Sequence, residues 1–300
     1  MKTSVIAATM ASALWVGTAF AQDSGDNAAK LERFIQSLHF QSGDIALAKA
    51  DAHLHLQAGF RFLAQADARR VLEEYWGNPP DQSVLGMLVP DNAGLDSGHS
   101  WAVVLSYDDG DGHVSDEDAA KIDYTQLLKD MQKGVEESND ERRKAGYDSI
   151  RLIGWAQPPR YDAATKRLHW AKELAFSGAN GHTLNYDIRV LGREGYLSME
   201  AVASMADQAL VNEGMQQVLP MAEFDSGHRY ADFNPMSDKL AAYGLATLVA
   251  GGVAAKTGLL AKIGLMLLAA KKLVIAAVVA IGAFIKKFFG NKDRGGGTVR

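Results

Sequence analysis

Hydrophobic and polar residues alternate along several stretches of the chain, and these stretches predict a β-sheet. The clearest stretch is 183–191, in which one set of positions holds Leu184, Tyr186, Ile188 and Val190 and the other holds Thr183, Asn185, Asp187 and Arg189. A period of two places the two sets on opposite faces of a strand, so a half-buried strand is expected here. Shorter patterns predict further strands at 45–48, 52–56, 60–63, 84–89, 101–107, 149–155, 167–174 and 195–202.

Apolar residues at helical spacing predict four helices, at 31–38, 65–76, 124–144 and 206–219. Strands and helices come in groups along the chain and do not alternate one by one. Grouping of this kind is typical of an α+β fold with an antiparallel sheet and packed helices.

The C-terminal end of the chain holds two uncharged, largely apolar runs, at 240–255 and 273–285. A helix needs about 20 residues to cross the hydrocarbon layer of a bilayer. Neither run is that long, but the lysines that flank each run can extend their stems and place their charges among the headgroups. The pattern therefore predicts a C-terminal transmembrane helical anchor.

The predicted anchor occupies residues 239–289, and residues 290–300 form a basic tail. A single span at 271–289 is favoured because this part is rich in leucine, isoleucine, valine and phenylalanine. A hairpin of two spans is the main alternative. A helix lying flat in the interface ranks last, because its lysines would scatter around the helical wheel.

The N-terminal end has the pattern of a secretory signal peptide, predicted at 1–21. Lys2 precedes an apolar centre, and the small residues Ala19 and Ala21 stand where the signal peptidase reads the chain. An uncleaved N-terminal anchor is the alternative. Residues 22–238 are then expected to form an extracytoplasmic domain, and the absence of cysteine means that no disulfide framework is inferred.

Charge is distributed unevenly between the two parts of the chain. The net charge of −5 is the sum of +9 over residues 239–300 and −14 over residues 1–238. Nucleic-acid binding requires positive charge on the folded surface, so no nucleic-acid partner is expected. Basic residues beside a span favour the cytoplasmic side, which predicts a cytoplasmic tail and a domain on the opposite side.

Several short motifs occur in a distinctive order: WGN at 76–78, GW at 154–155, PRYD at 159–162, LHWA at 168–171, LNYDIRVLGREG at 184–195 and GHRYADF at 227–233. In these motifs the chain resembles a bacterial family of membrane-anchored proteins known only as domain of unknown function 2167. The resemblance extends from about residue 43 to 289. It implies an exported, membrane-attached domain, and it brings no activity, substrate or catalytic residue. Together with the signal and the charges, this predicts a bacterial inner-membrane protein whose domain is periplasmic.

Asp51, His53 and His55 resemble the D-x-H-x-H opening of metal-dependent amidohydrolases. Alternate residues of a strand would place both imidazoles on one side of a metal ion. That fold requires eight strand–helix repeats, which the grouped elements do not provide. Surface histidines on a strand are therefore the favoured interpretation.

The acidic stretch 107–118 can be aligned with a calcium loop, with Gly112 at the sixth position. Asp109, Asp111 and Asp118 would then supply ligands, and these three rank ahead of the histidine strand as candidate metal ligands. Tyr107 occupies the first position, where a carboxylate is expected. The structural alternative is an acidic turn followed by a helix that Ser115 caps.

Asn139, Arg142, Arg189 and Arg193 could bind an anion, although such side chains usually pair with backbone groups or carboxylates. No catalytic residue and no cofactor is predicted. The expected function is a non-enzymatic binding or scaffold domain at the outer face of the inner membrane. Its anchor would contact the lipid bilayer, and its partner would be another envelope protein. A metal-dependent hydrolase is the alternative.

Overall fold

The computed structural model describes residues 29–76, 78, 80–97, 99–109, 112–144 and 148–250. The chain divides into two compact units, Met1–His39 and Phe40–Arg300. In the first unit, residues 29–36 form helix α1. The sheets and the remaining helices belong to the second unit.

The described part of the second unit contains thirteen strands. In chain order they are β1 (Phe40–Gln41), β2 (Asp44–Leu47), β3 (Ala52–His55), β4 (Phe60–Ala64), β5 (Val84–Pro90), β6 (Val103–Asp108), β7 (His113–Ser115), β8 (Ile150–Asp162), β9 (Arg167–Phe176), β10 (His182–Leu191), β11 (Tyr196–Ser204), β12 (Ala222–Phe224) and β13 (Leu240–Gly244).

The helices of this unit are α2 (Gln65–Arg70), α3 (Tyr124–Lys144), α4 (Gln208–Val218) and α5 (Leu245–Ala250). Helix α2 continues as a π-helical turn, Val71–Tyr75. Helix α3 begins where the carboxylate of Asp123 accepts the backbone N–H groups of Thr125 and Gln126, each at 3.0 Å. The alternative prediction that Ser115 caps a helix was wrong, because Ser115 lies in strand β7 and α3 begins further along the chain.

Eight strands form one antiparallel sheet in the order β1-β4-β5-β6-β11-β10-β9-β8. Four strands that follow one another in the chain, β8 to β11, are joined by hairpins and make up half of this sheet. A three-stranded sheet, β12-β3-β2, and a parallel pair, β13-β7, complete the unit. The predicted α+β fold with a large antiparallel sheet and packed helices is therefore confirmed.

Hydrophobic side chains pack against both faces of the large sheet. On the first face, Tyr186 and Ile188 of β10 belong to a cluster with Val211 and Met215 of α4. On the second face, Trp170 of β9 belongs to a cluster with residues of α3 and α5. The sheet is thus the middle layer between two cores.

The C-terminal strand and helix of the described residues belong to the second core. Ala241 of β13 and four residues of α5, namely Leu245, Leu248, Val249 and Ala250, are buried. Residues 240–250 are also the beginning of the predicted anchor region. The favoured span at 271–289 and the predicted signal at 1–21 lie outside the described residues. Among the helices that the structure describes, none is long and apolar enough to span a bilayer.

Candidate functional site

A cluster of four charged side chains lies on the second face of the large sheet, across strands β9, β10 and β11. Asp187 and Arg189 come from β10, and Lys172 and Glu200 come from the neighbouring strands. Asp187 and Glu200 are direct partners in the register of β10 and β11. We call this set the charged sheet face.

The contacts within the charged sheet face are short. A guanidinium nitrogen of Arg189 donates to Glu200 Oε1 at 2.6 Å and to Asp187 Oδ1 at 3.2 Å. Lys172 Nζ forms an ion pair with Asp187 Oδ2 at 3.1 Å, and the Ser198 hydroxyl donates to Glu200 at 3.0 Å. Two positive and two negative charges therefore balance within the cluster, and they join three strands.

The two carboxyl groups of the charged sheet face differ in their electrostatics. Burial raises the pKa of Asp187, and the attraction of Lys172 and Arg189 offsets this only in part. Burial also raises the pKa of Glu200, but the positive charges of Arg189 and Lys172 outweigh it, so the pKa of Glu200 is lowered. Glu200 is therefore the ionised partner of Arg189 near neutral pH. Opposite shifts in neighbouring carboxyls are a feature of functional sites as well as of structural networks.

The polar face predicted for β10 is buried. Asn185, Asp187 and Arg189 are 5%, 3% and 4% exposed, although their alternation with apolar residues predicted a half-buried strand. The physical reason is that the charges satisfy one another on the face of the sheet that carries the second core. Arg189 also stands over the Trp170 ring, with its guanidinium carbon 5.2 Å from the ring centroid.

A second polar cluster lies at the end of the sheet where the C-terminal segment joins the domain. Asp116 accepts hydrogen bonds from Lys166 Nζ at 2.6 Å, from the Tyr161 hydroxyl at 2.6 Å and from the Tyr230 hydroxyl at 2.8 Å. Lys166 also stands over the Tyr230 ring, 4.5 Å from its centroid. Because Tyr230 belongs to the loop that precedes β13, these contacts fasten that loop to the sheet.

The same loop is held at its other end by Arg193. This residue lies in the turn between β10 and β11, and it donates two hydrogen bonds to the Asp238 carboxylate, at 2.7 and 2.8 Å. The hydrogen bonds from Arg193 and from the Asn234 backbone lower the pKa of Asp238. A guanidinium and a carboxylate in this two-point geometry form one of the stronger charge-assisted contacts in proteins.

His113 fills the space between the two ends of the loop. Its ring stacks on Phe233 with 3.9 Å between centroids, and it also contacts the Tyr230 ring at 4.3 Å. Burial lowers the pKa of His113 despite the backbone oxygen of Arg193, 3.0 Å from Nδ1. A neutral ring whose Nδ1–H donates to that oxygen explains both observations. We call the contacts of Asp116, Arg193 and His113 with this loop the junction.

Acid is expected to weaken the junction through Asp116. Burial on its own raises the pKa of this carboxyl, but the hydrogen bonds from Lys166, Tyr161 and Tyr230 outweigh the effect of burial and lower the pKa to about 2. Because the pKa of Asp116 is lowered on folding, the ionised carboxylate stabilises the fold at pH values above its ordinary pKa of 3.8. This stabilisation is lost as the pH falls toward 2. After allowance for solvent screening, the free energy of unfolding should fall by about 1 kcal/mol over this range because of Asp116.

Urea unfolding of the full chain in mild detergent at several pH values measures this loss. The variant Asp116→Asn should lack it, so the difference between wild type and variant should shrink from pH 4 to pH 2. Asp140→Asn is the matched control, because that carboxylate is exposed and pairs with Arg143 on the surface of α3. A constant difference between wild type and Asp116→Asn across the range would contradict the prediction.

The histidine strand predicted as a metal site has carboxylate partners. His53 Nδ1 lies 2.5 Å from Asp225 Oδ1, and His55 Nδ1 lies 2.9 Å from Asp44 Oδ1. Asp51 pairs with a different histidine, His228. Among the residues that the structure describes, no three histidine, aspartate or glutamate side chains are grouped so that they could hold a metal ion.

The acidic loop is divided between several structures. Asp109 follows the end of β6, residues 113–115 form strand β7, and Asp111 lies outside the described residues. Asp118 accepts the backbone N–H of Leu245 at 3.3 Å, so it contacts the first residue of α5. Calcium binding by this loop stays a prediction.

The four residues predicted as an anion site lie at separate places. Asn139 bonds both backbone groups of Ile150 at 2.8 Å, and Arg142 donates to the Asp148 carbonyl at 2.9 Å. Arg189 belongs to the charged sheet face and Arg193 to the junction. The four residues therefore do not form a single anion site, and each side chain binds a backbone group or a carboxylate, as the favoured interpretation expected.

Sequence reasoning missed Lys172, Glu200, Asp116 and Lys166. A usable signal existed for Glu200, because a four-residue turn at 192–195 places residue 191 opposite residue 196 and therefore 187 opposite 200. No such local signal existed for the pair of Asp116 and Lys166, which are 50 positions apart in the chain.

The fold and these two clusters define an α+β domain with a balanced set of charges on one sheet face and its C-terminal segment fastened to the end of the sheet. The chain belongs to the family described as Protein of unknown function (DUF2167), whose model matches residues 39–282. The resemblance seen in the sequence motifs is thereby confirmed at the level of the family. The match extends well into the predicted anchor region.

Comparison with curated proteins found no match. Among solved structures, the chain is similar to cyanobacterial PsbP (CyanoP) from Synechocystis sp. PCC 6803, with a TM-score of 0.34 and 14% identity over 63% of this chain and 93% of that one. It is also similar to the Saccharomyces cerevisiae Ran-binding protein Mog1p, with a TM-score of 0.33 and 9% identity over 66% and 100%. LpqN of Mycobacterium tuberculosis has a TM-score of 0.30 and 12% identity over 63% and 93%. Similarity at this level carries no argument about function.

Proposed function

We propose that the chain is an envelope protein held at the bacterial inner membrane by its C-terminal apolar sequence. Its folded domain would lie at the outer face, where it acts as a binding or scaffold domain for another envelope protein. The observation that carries the proposal is that the apolar sequence begins inside the folded domain, where its first residues form β13 and α5.

The backbone of β13 is attached directly to β7. The His113 N–H donates to the Lys239 carbonyl at 2.9 Å, and the two strands pair in parallel. Gly112 has a φ of +90°, and a Cβ atom at this position would lie 2.4 Å from the Lys239 oxygen. A glycine is therefore required for this approach, which supports a tight attachment of the segment that leads to the apolar sequence.

Helix α5 continues this attachment into the second core. Leu245 and Leu248 are almost fully buried against the cluster that includes α3 and β9. A membrane segment that followed directly on α5 would transmit its position to the sheet. In our proposal the domain is thus held at a fixed height above the membrane and in a fixed orientation. A fixed attachment suits a scaffold better than a mobile tether does.

The charge distribution supports the orientation. The ten basic residues of 239–300 outnumber the one acidic residue, and basic residues near a span favour the cytoplasmic side. The acidic part of the chain, with a net charge of −14, would then lie outside. The hydrolase alternative gains no support from the described contacts, because Asp51, His53 and His55 pair with three different partners.

Cell fractionation tests the tether. We expect the full chain to stay in the membrane fraction after alkaline carbonate washing and to lack residues 1–21. A variant that ends after Ala250 keeps α5 and should be recovered as a soluble periplasmic protein. A cut after Asp238 is not an adequate control, because it removes the buried residues of β13 and α5. Recovery of the full chain from the cytosol with residues 1–21 attached would contradict the proposal.

A second measurement separates the binding domain from the hydrolase. Metal analysis of the purified chain should find no stoichiometric zinc or calcium if the domain acts by binding a partner. Stoichiometric metal that is lost in a His53→Ala or an Asp118→Asn variant would instead favour the hydrolase and assign its site.

A further inference from the structure

Two large apolar side chains, four positions apart in the chain, are exposed at the start of the C-terminal segment. Met236 is 92% exposed and Leu240 is 56% exposed. In the part of the chain that the structure describes, Tyr75 is the third large apolar residue that is exposed to solvent. Residues 233–240, which we call the Met236 tip, therefore contain two of the three exposed large apolar side chains among the described residues.

The Met236 tip is an ordered turn. The side-chain oxygen of Asn234 accepts the Met236 N–H at 3.0 Å, and the Asn234 carbonyl accepts the N–H groups of Ser237 and Asp238 at 3.1 and 2.8 Å. The Asp238 carboxylate in turn accepts the Asn234 N–H at 2.8 Å. Closed turns of this type have lost most of their backbone freedom, so contact with a partner requires little further ordering.

The base of the tip is fixed to the domain through the junction. Phe233 stacks on His113, and Arg193 holds Asp238 by two hydrogen bonds. Met236 stands between these two fixed points. Met236 is therefore exposed on a protruding turn that is held in place, because both ends of the turn are bound to the sheet.

The charges of the tip suit a lipid headgroup layer. Asp238 is its one carboxylate, and the side chain is only 4% exposed because it faces Arg193. Lys239 is exposed at the surface. The outer side of the tip thus presents apolar side chains beside a positive charge, a combination that favours the interface of a membrane with anionic lipids.

We propose that the Met236 tip inserts Met236 and Leu240 into the interface of the lipid bilayer, so that the domain rests on the membrane at a second point besides its tether. The proposal rests on the tether described above. The exposed Lys239 beside the two apolar side chains, with Asp238 turned toward Arg193, supports an anionic lipid surface rather than a protein as the occupant.

Single-cysteine labelling tests this insertion, because the chain contains no cysteine of its own. The variants Met236→Cys and Asn180→Cys are labelled with the same environment-sensitive dye in the full chain, reconstituted into vesicles of phosphatidylethanolamine and phosphatidylglycerol. Asn180 is the matched control, since it is exposed and lies in the turn at the other end of β10, roughly 30 Å from Arg193. Nitroxide-labelled lipid should quench the dye at position 236 several-fold more than the dye at position 180.

Each outcome decides between the tip, the tether and a protein contact. Strong lipid quenching at position 236 alone supports the proposal, and Leu240→Cys should behave in the same way. Equal, weak quenching at positions 236 and 180 in a chain that floats with the vesicles overturns the tip and leaves the tether intact. Shielding of position 236 in native membranes but not in vesicles means a protein contact and overturns the lipid assignment. A chain that does not float with vesicles overturns the tether as well.

Discussion

Replacing Arg189 with methionine is expected to lower the free energy of unfolding by about 3–5 kcal/mol. Arg189 is 4% exposed and contacts both carboxyls of the charged sheet face, Asp187 and Glu200. Methionine fills a similar volume but leaves two buried carboxyls with Lys172 as the remaining nearby cation. An uncompensated buried charge is costly because it has lost its hydration without gaining a partner.

Urea unfolding of the full chain in mild detergent measures this change, and two further variants interpret it. Lys133→Met removes an exposed pair with Glu137 on α3 and should change stability by about 0.5 kcal/mol or less. Adding Glu200→Gln to the Arg189→Met variant removes the carboxylate that lost its ion-pair partner, so part of the lost stability should return. If Arg189→Met cost no more than Lys133→Met, the charged sheet face would not stabilise the fold.

Replacing Leu245 with alanine is expected to cost about 2–5 kcal/mol of stability. The Leu245 side chain is fully buried in the second core, and the change would leave a cavity beside α3 and the sheet. The effect would be notable because Leu245 lies in an uncharged run that, judged by composition alone, belongs to the membrane. The same urea titration measures it.

Leu240→Ala is the control, because it makes the same chemical change five positions earlier in the same run. Leu240 is 56% exposed in the domain, so its loss should change the stability in detergent by about 0.5 kcal/mol or less. Equal, small effects at both positions would mean that α5 does not pack on the domain in solution. The attachment of the apolar sequence to the sheet, on which the proposed function depends, would then be wrong.

The local pattern predicted the long elements well because each carries its signal within a few residues. Strand β10 alternates from residue 183 to residue 190, and α3 ends at Lys144, where the sequence predicted its end. The short strands β1, β7, β12 and β13 were not predicted. Strands β1, β7 and β12 contain two or three residues each, too few for a period to appear, and β13 lies in the uncharged run that was interpreted as anchor. These strands exist because a distant strand offers hydrogen-bond partners.

The candidate sites were less predictable than the fold. A turn of known length could have placed Asp187 opposite Glu200, since the register of a hairpin follows from its loop. The burial of that pair could not be inferred, because it depends on helices that pack on the second face. The metal and anion hypotheses relied on residue types and spacing, and the structure gave most of those side chains separate partners within the protein.

By itself, the sequence determined the class of fold, the long strands and helices, the family and the uneven distribution of charge, because all of these follow from local periodicity, short motifs or residue counts. Only the tertiary structure decided that the polar side of β10 is buried and that residues 240–250 pack on the sheet. It also placed Asp116 with Lys166 and Tyr230, and it exposed Met236 on a supported turn. These features depend on contacts between residues far apart in the chain, and such contacts leave no periodic trace in either partner alone.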